Sequence, residues 1–134
     1  MKARMEWGRG QRLNLFMAIR TKINITNKKQ EDTIMYEHIV ILKLGSKVTI
    51  YEQEEAVKLV HTFKETIPGI VDLSAGINVS EEVEHKQGYT LGIRVTFENQ
   101  QACRDYIQHP LHQNLLQRIG PLVEGIVVMD YPFA

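Results

Sequence analysis

Tyr89-Thr90-Leu91-Gly92-Ile93-Arg94-Val95-Thr96-Phe97 is the stretch on which the fold turns. Its odd positions are large and apolar, and its even positions are small, polar or charged. A period of two means a β-strand with one covered and one more polar side. Asn99 follows directly, and its short side chain suits the cap of a helix over Gln100–Gln108. The inner side of that helix carries Ala102, Cys103, Tyr106 and Ile107. Pro110 then interrupts it, because proline lacks an N–H and disfavours helical geometry in the residue before it. A second helical piece places Leu111, Leu115 and Ile119 on one side, and Gly120-Pro121 stops it.

Reading outward from there, Ile70–Val79 is a strand. Ser74, Ala75 and Gly76 in its middle predict a bulge or a close approach of another backbone. Ser80–Gly88 is a polar loop in which His85 is solvated. Upstream, Ala56, Val60, Phe63 and Ile67 form one buried stripe on a helix predicted over Tyr51–Ile67. Thr49 and Glu52 form a capping box at its start, and Pro68-Gly69 ends it. His61 lies beside the stripe, at the surface. Met35–Leu44 is the first strand, with Tyr36, His38, Val40, Leu42 and Leu44 on one side and Glu37, Ile39, Ile41 and Lys43 on the other. Val123–Tyr131 is the last strand, with Ile126 and Val128 opposed to Val127 and Met129.

The order strand, helix, strand, strand, helix, strand is the α+β, split βαβ, ferredoxin-like arrangement: a four-stranded antiparallel sheet with helices on one face. The other face bears Ile39, Ile41, Val127 and Met129, which calls for a partner. A homodimer stacked sheet against sheet is the simplest solution.

The bulk composition narrows the class. A chain of 134 residues suits one domain, and 43% apolar with 24% charged residues is a globular balance. The single cysteine, Cys103, excludes a disulfide framework and a cysteine-rich zinc site, and reads as a small core residue. No apolar run reaches the ~18–20 residues of a membrane span. Two Asn-X-Ser/Thr triplets, at Asn24 and Asn78, matter only in a secreted protein, and a cytoplasmic location is expected. The zero net charge conceals an asymmetry. Residues 1–34 carry eight Lys/Arg against Glu6, Glu31 and Asp32, whereas the remainder has eight basic and thirteen acidic residues. The folded part is therefore acidic, which argues against a nucleic-acid partner.

Residues 1–34 show no clean periodicity beyond a brief alternation at Ile23 and Ile25. A well-patterned strand begins at Met35, and Gln30-Glu31-Asp32 can be encoded by a purine-rich run resembling a bacterial ribosome-binding site. The first 34 residues are accordingly expected to be a leader upstream of a natural start at Met35. A mature chain beginning near Met1 in a mass spectrum of the native protein would contradict this.

Chemistry concentrates in Asp105-Tyr106-Ile107-Gln108-His109-Pro110-Leu111-His112, a phenol and two imidazoles around a helix break. An imidazole titrates near neutral pH and suits a general base, and a phenol can donate to a developing oxyanion. Equally, Tyr106 can be a core residue with a satisfied hydroxyl, while His109 and His112 cap the helix junction. A His109–His112 metal pair lacks a third ligand.

From Met35 onward the chain resembles the stress-responsive A/B barrel (Dabb) family. The resemblance rests on His38-Ile39-Val40-Ile41-Leu42-Lys43, Gly76-Ile77-Asn78, Gly88-Tyr89, Val95-Thr96-Phe97-Glu98, Asp105 to His112, and Asp130-Tyr131. It implies a dimeric α/β barrel. In a plant member that closes a linear polyketide without metal or organic cofactor, the catalytic histidine and tyrosine fall on His112 and Tyr106, and a strand histidine falls on His38. Its pocket would be lined here by Val40, Leu42, Ile93, Val95, Ile107 and Ile126. Independently of the resemblance, Asp130 at the end of the last strand would orient an imidazole, and the residue pattern leaves open which one. This chain departs from that enzyme at Leu91 and Val123, where the enzyme has a histidine and an aromatic. The implied function is a dimer binding a small apolar or carbonyl-containing molecule, with no cofactor. The alternative is a cofactor-independent lyase or cyclase with His112 as base and Tyr106 as donor, or an oxygenase or isomerase of the kind related barrels host.

Overall fold

The computed structural model describes residues 34–134. The leader expected at the N-terminus, the Ile23/Ile25 alternation and the Asn24 triplet lie outside them. The elements are β1 (Met35–Leu44), α1 (Ile50–His61), α2 (Phe63–Thr66), β2 (Ile70–Ile77), α3 (Val83–Lys86), β3 (Leu91–Phe97), α4 (Gln100–Gln108), α5 (Pro110–Ile119), a 3-10 turn (Gly120–Leu122) and β4 (Val123–Phe133). The sheet order is β2-β3-β1-β4 with every pair antiparallel, the ferredoxin-like topology read from the element order.

Four local expectations are corrected. The helix expected over Tyr51–Ile67 breaks at Thr62, whose N–H and hydroxyl both turn back to the Leu59 carbonyl. The buried stripe survives the break, with Val60 and Phe63 both fully buried. The loop at Ser80–Gly88 contains the single turn α3, closed by Gln87 and Gly88 at positive φ. The strands expected over Tyr89–Phe97 and Ile70–Val79 are trimmed to Leu91 and Ile77, because the Asn78 side chain binds the Tyr89 carbonyl and the Ser80 N–H and forms a turn there. The irregularity expected at Ser74–Gly76 lies between Ile70 and Asp72. His61 is exposed as expected, and its Nε2 also accepts the Ala75 N–H at 3.3 Å, tying the end of α1 to β2.

The capping box is formed, with Glu52 N–H donating to Thr49 Oγ1 at 3.1 Å and Thr49 N–H to Glu52 at 2.8 Å. One core forms between the sheet and the helices around Phe63, Phe97, Val60, Val95 and Leu91. On the opposite face Glu37 is buried. Thr96 donates to it at 2.6 Å, and Arg94 bridges from it to Asp72 at 2.7 Å. Beside this polar end, Ile41, Val127 and Met129 stand exposed.

Gly69 gives the first test. Its φ is +86°, and an added Cβ would lie 2.6 Å from the Ala102 Cβ. Gly69→Ala is expected to lose about 1–3 kcal/mol through backbone strain and overpacking, read from urea unfolding midpoints. An unchanged midpoint would contradict the close α4–turn contact.

Candidate functional site

The helix break sets the geometry. His109 is extended (φ −64°, ψ 140°), as a residue before proline should be, and caps α5 by accepting the Leu111 N–H at 3.1 Å. In an unbroken helix that N–H would bond the Ile107 carbonyl. The freed carbonyl is taken instead by His112 Nδ1 at 3.0 Å and Gln113 Nε2 at 2.8 Å. A carbonyl only accepts, so Nδ1 of His112 carries the proton and Nε2 keeps its lone pair. Burial pushes the His112 pKa down, partly opposed by the Ile107 bond, with His38 lowering it further. His112 is therefore a neutral imidazole with a free acceptor near pH 7.

Tyr106 sits between the candidate histidines. Its ring centroid is 4.5 Å from that of His112, 6.0 Å from His38 and 5.1 Å from Phe97. Burial pushes its phenol up, so it stays protonated. Among the described residues no group hydrogen-bonds its hydroxyl. His38, on β1, faces its register partner Asp130 on β4, with Nδ1 2.6 Å from Oδ1. The Tyr36 hydroxyl donates to the other carboxylate oxygen at 3.3 Å. Asp130 thus orients His38, the choice that residue patterns left open.

These groups line a cavity of about 490 Å³. Val40, Leu42, Ile93, Ile107, Ile126 and Asp130 line it as well. Val95 does not: it is fully buried in the core with Phe63 and Phe97, so no space remains at its side chain. Leu115, Ile119, Val123 and Val128 line the cavity and were missed as site residues. Their positions were legible, since Leu115 and Ile119 share the inner side of α5, and Val128 shares the side of Ile126. The register runs from His38↔Asp130 through Val40↔Val128 to Leu42↔Ile126, so the polar groups cluster at one end and the apolar wall extends about 13 Å along the strands. Among the described residues, no Lys or Arg lines the cavity.

The donors of His38, Cys103 and Asp130 lie within 4.8 Å of one another. Yet His38 Nδ1 is already bonded to Asp130, and burial pushes the Cys103 thiol up to about 11. The trio is a hydrogen-bonded pair beside a protonated core thiol. His109 Nδ1 and His112 Nδ1 are likewise spent on backbone partners.

Comparison with known proteins adds the lineage. The family model for the stress responsive A/B barrel domain matches residues 36–133. The chain belongs to the Dabb family. Olivetolic acid cyclase of Cannabis sativa is 30% identical over 95 residues, covering 71% of this chain and 93% of that protein. A solved Arabidopsis thaliana structure is 26% identical with a TM-score of 0.66, covering 74% of this chain and 95% of the other. A dimeric ferredoxin-like protein from Jannaschia is 25% identical with a TM-score of 0.63, covering 72% and 97%. Among the described residues of this Dabb chain, no helix is long and apolar enough to cross a membrane.

The lowered His112 pKa has a consequence for stability. The unfolded imidazole binds its proton at higher pH than the folded one, so stability contributed by neutral His112 is present above about pH 6.5 and is lost as pH falls. Between about pH 7.5 and about pH 5.5, His112→Gln is expected to lose less stability than the wild type in urea titrations. Parallel losses would contradict a depressed pKa.

Proposed function

We propose that this chain is a homodimeric binder of small uncharged molecules that carry a carbonyl at one end and an apolar body. The observation that carries this reading is the cavity's polarity: a phenol and two imidazoles at one end, an aliphatic wall along the rest, and among the described residues no cation to neutralise an anion. Tyr106 would donate to the carbonyl oxygen, His112 Nε2 would accept from a neighbouring hydroxyl or acidic C–H, and His38 would hold a second polar group. The exposed apolar sheet face, and the dimeric state of the Jannaschia relative, support the homodimer.

Thermal shift with matched medium-chain methyl ketones, aldehydes and carboxylates tests it. The ketones and aldehydes are expected to raise the melting temperature and the carboxylates of equal length to do so far less. Stabilisation by carboxylates alone, or identical shifts in a Tyr106→Phe, His112→Ala double variant, would sink the reading.

A second reading has its own support. The tautomer of His112 leaves a free base beside a protonated phenol, and the cyclase relative is an enzyme by name. In a cofactor-independent lyase or cyclase, His112 Nε2 would take a proton from the carbon next to a carbonyl. The C–H electron pair would move into the C–C bond and the carbonyl pair onto oxygen. Tyr106 would hold that enolate oxygen by hydrogen bond.

A further inference from the structure

The cavity lacks a wall. β4 is an edge strand, paired only with β1 among the described residues, and the helix layer rests on β1, β2 and β3. Cavity-lining Ile126 and Val128 are consequently 56% and 51% exposed. On the opposite side of the same strand, Val127 and Met129 are 47% and 59% exposed. Neighbouring residues of a strand point to opposite faces, so among the described residues both faces of β4 are bare and apolar, and its outer edge is unpaired as well. An edge strand with two apolar faces is unlike the charged or covered edges that keep a monomer soluble.

We infer that the cavity is a half-site, closed by a second copy of this chain seated against β4, so that ligand binding and dimerisation are coupled. This rests on the ligand reading above and goes beyond it. The second copy is the occupant because Val127 and Met129 continue the exposed open-face patch of Ile41, the face on which the proposed homodimer would stack. One neighbour that wraps this strand covers both faces at once. A two-fold contact does the same for the partner's β4, so both cavities close together. The closure removes Ile126 and Val128 from water and leaves the ligand's apolar body enclosed. Each bound ligand then tightens the dimer by the same factor as the dimer tightens that ligand.

The test uses the full chain and the uncharged fluorescent naphthyl ketone prodan. Prodan affinity is measured over a protein dilution series that spans the dimer dissociation constant, itself measured by sedimentation with and without prodan. Affinity is expected to fall at least about tenfold on passing from dimer to monomer, and saturating prodan to tighten the dimer by about the square of that factor, one factor for each of the two cavities. Met129→Asp, on the open face and outside the cavity, is expected to weaken both and to recover prodan binding at high protein concentration. Equal affinity at every concentration, as when another segment of the same chain closes the cavity, would overturn the half-site and leave the ligand reading intact. Absence of prodan binding to the wild-type dimer would overturn both. The wild-type dilution series decides the matter even where Met129→Asp fails to fold.

Discussion

Phe97→Ala is expected to destabilise the protein by about 3–5 kcal/mol, the range for truncating a fully buried phenylalanine. Phe97 has no exposed surface, and its ring centroid is 5.1 Å from that of Tyr106 and 6.4 Å from that of His38. Removing it deletes packing from the central strand β3 and opens space under the phenol. For a domain of this size the loss is a large share of total stability. Phe97→Leu keeps most of the volume and should cost less than about 1.5 kcal/mol. Urea titration of both variants checks this. A Phe97→Ala loss near that of Phe97→Leu would mean that the site relaxes around the hole, and that the aromatic cluster does not support Tyr106.

His112→Ala is expected to reduce turnover by about 10²–10⁴-fold on any carbonyl compound the protein converts, a much larger loss than its effect on binding. The reason is the break at Pro110. It frees the Ile107 carbonyl, which takes the Nδ1 proton of His112 and leaves Nε2 as the basic atom, while burial keeps the ring neutral. Alanine removes the base without removing the apolar wall that holds the ligand. Tyr106→Phe keeps the ring and removes only the hydroxyl, so it should lower turnover by weakening enolate stabilisation. Single-turnover rates with direct binding measurements separate the two effects. Equal turnover in wild type and His112→Ala would end the enzymatic reading and leave the binder.

Part of the site was legible because its signals are local. Proline after His109 dictates a helix break, and the break puts Tyr106 and His112 on adjoining turns. The capping roles of Thr49, Asn99 and His109 follow from residue type and spacing. What failed also has local reasons. Thr62 competes for the Leu59 carbonyl with its own hydroxyl, a side-chain bond that helical periodicity does not register. Val95 alternates correctly with Ile93, yet the two differ in fate, because only packing decides which inward residue meets a helix and which meets a cavity.

By itself the sequence determined the order strand, helix, strand, strand, helix, strand, the helix-facing side of β1, β3 and β4, and the phenol and imidazoles around one helix break. These follow from periodicity, caps and proline, which act over a few residues. Only the tertiary structure decided that Asp130, 92 residues from His38, is its partner, because strand register sets that contact. It alone showed that the Ile107 carbonyl selects the tautomer of His112, since that depends on which groups the break leaves unpaired. And it alone exposed both faces of β4, because whether a strand is central or at an edge is a property of the assembled sheet.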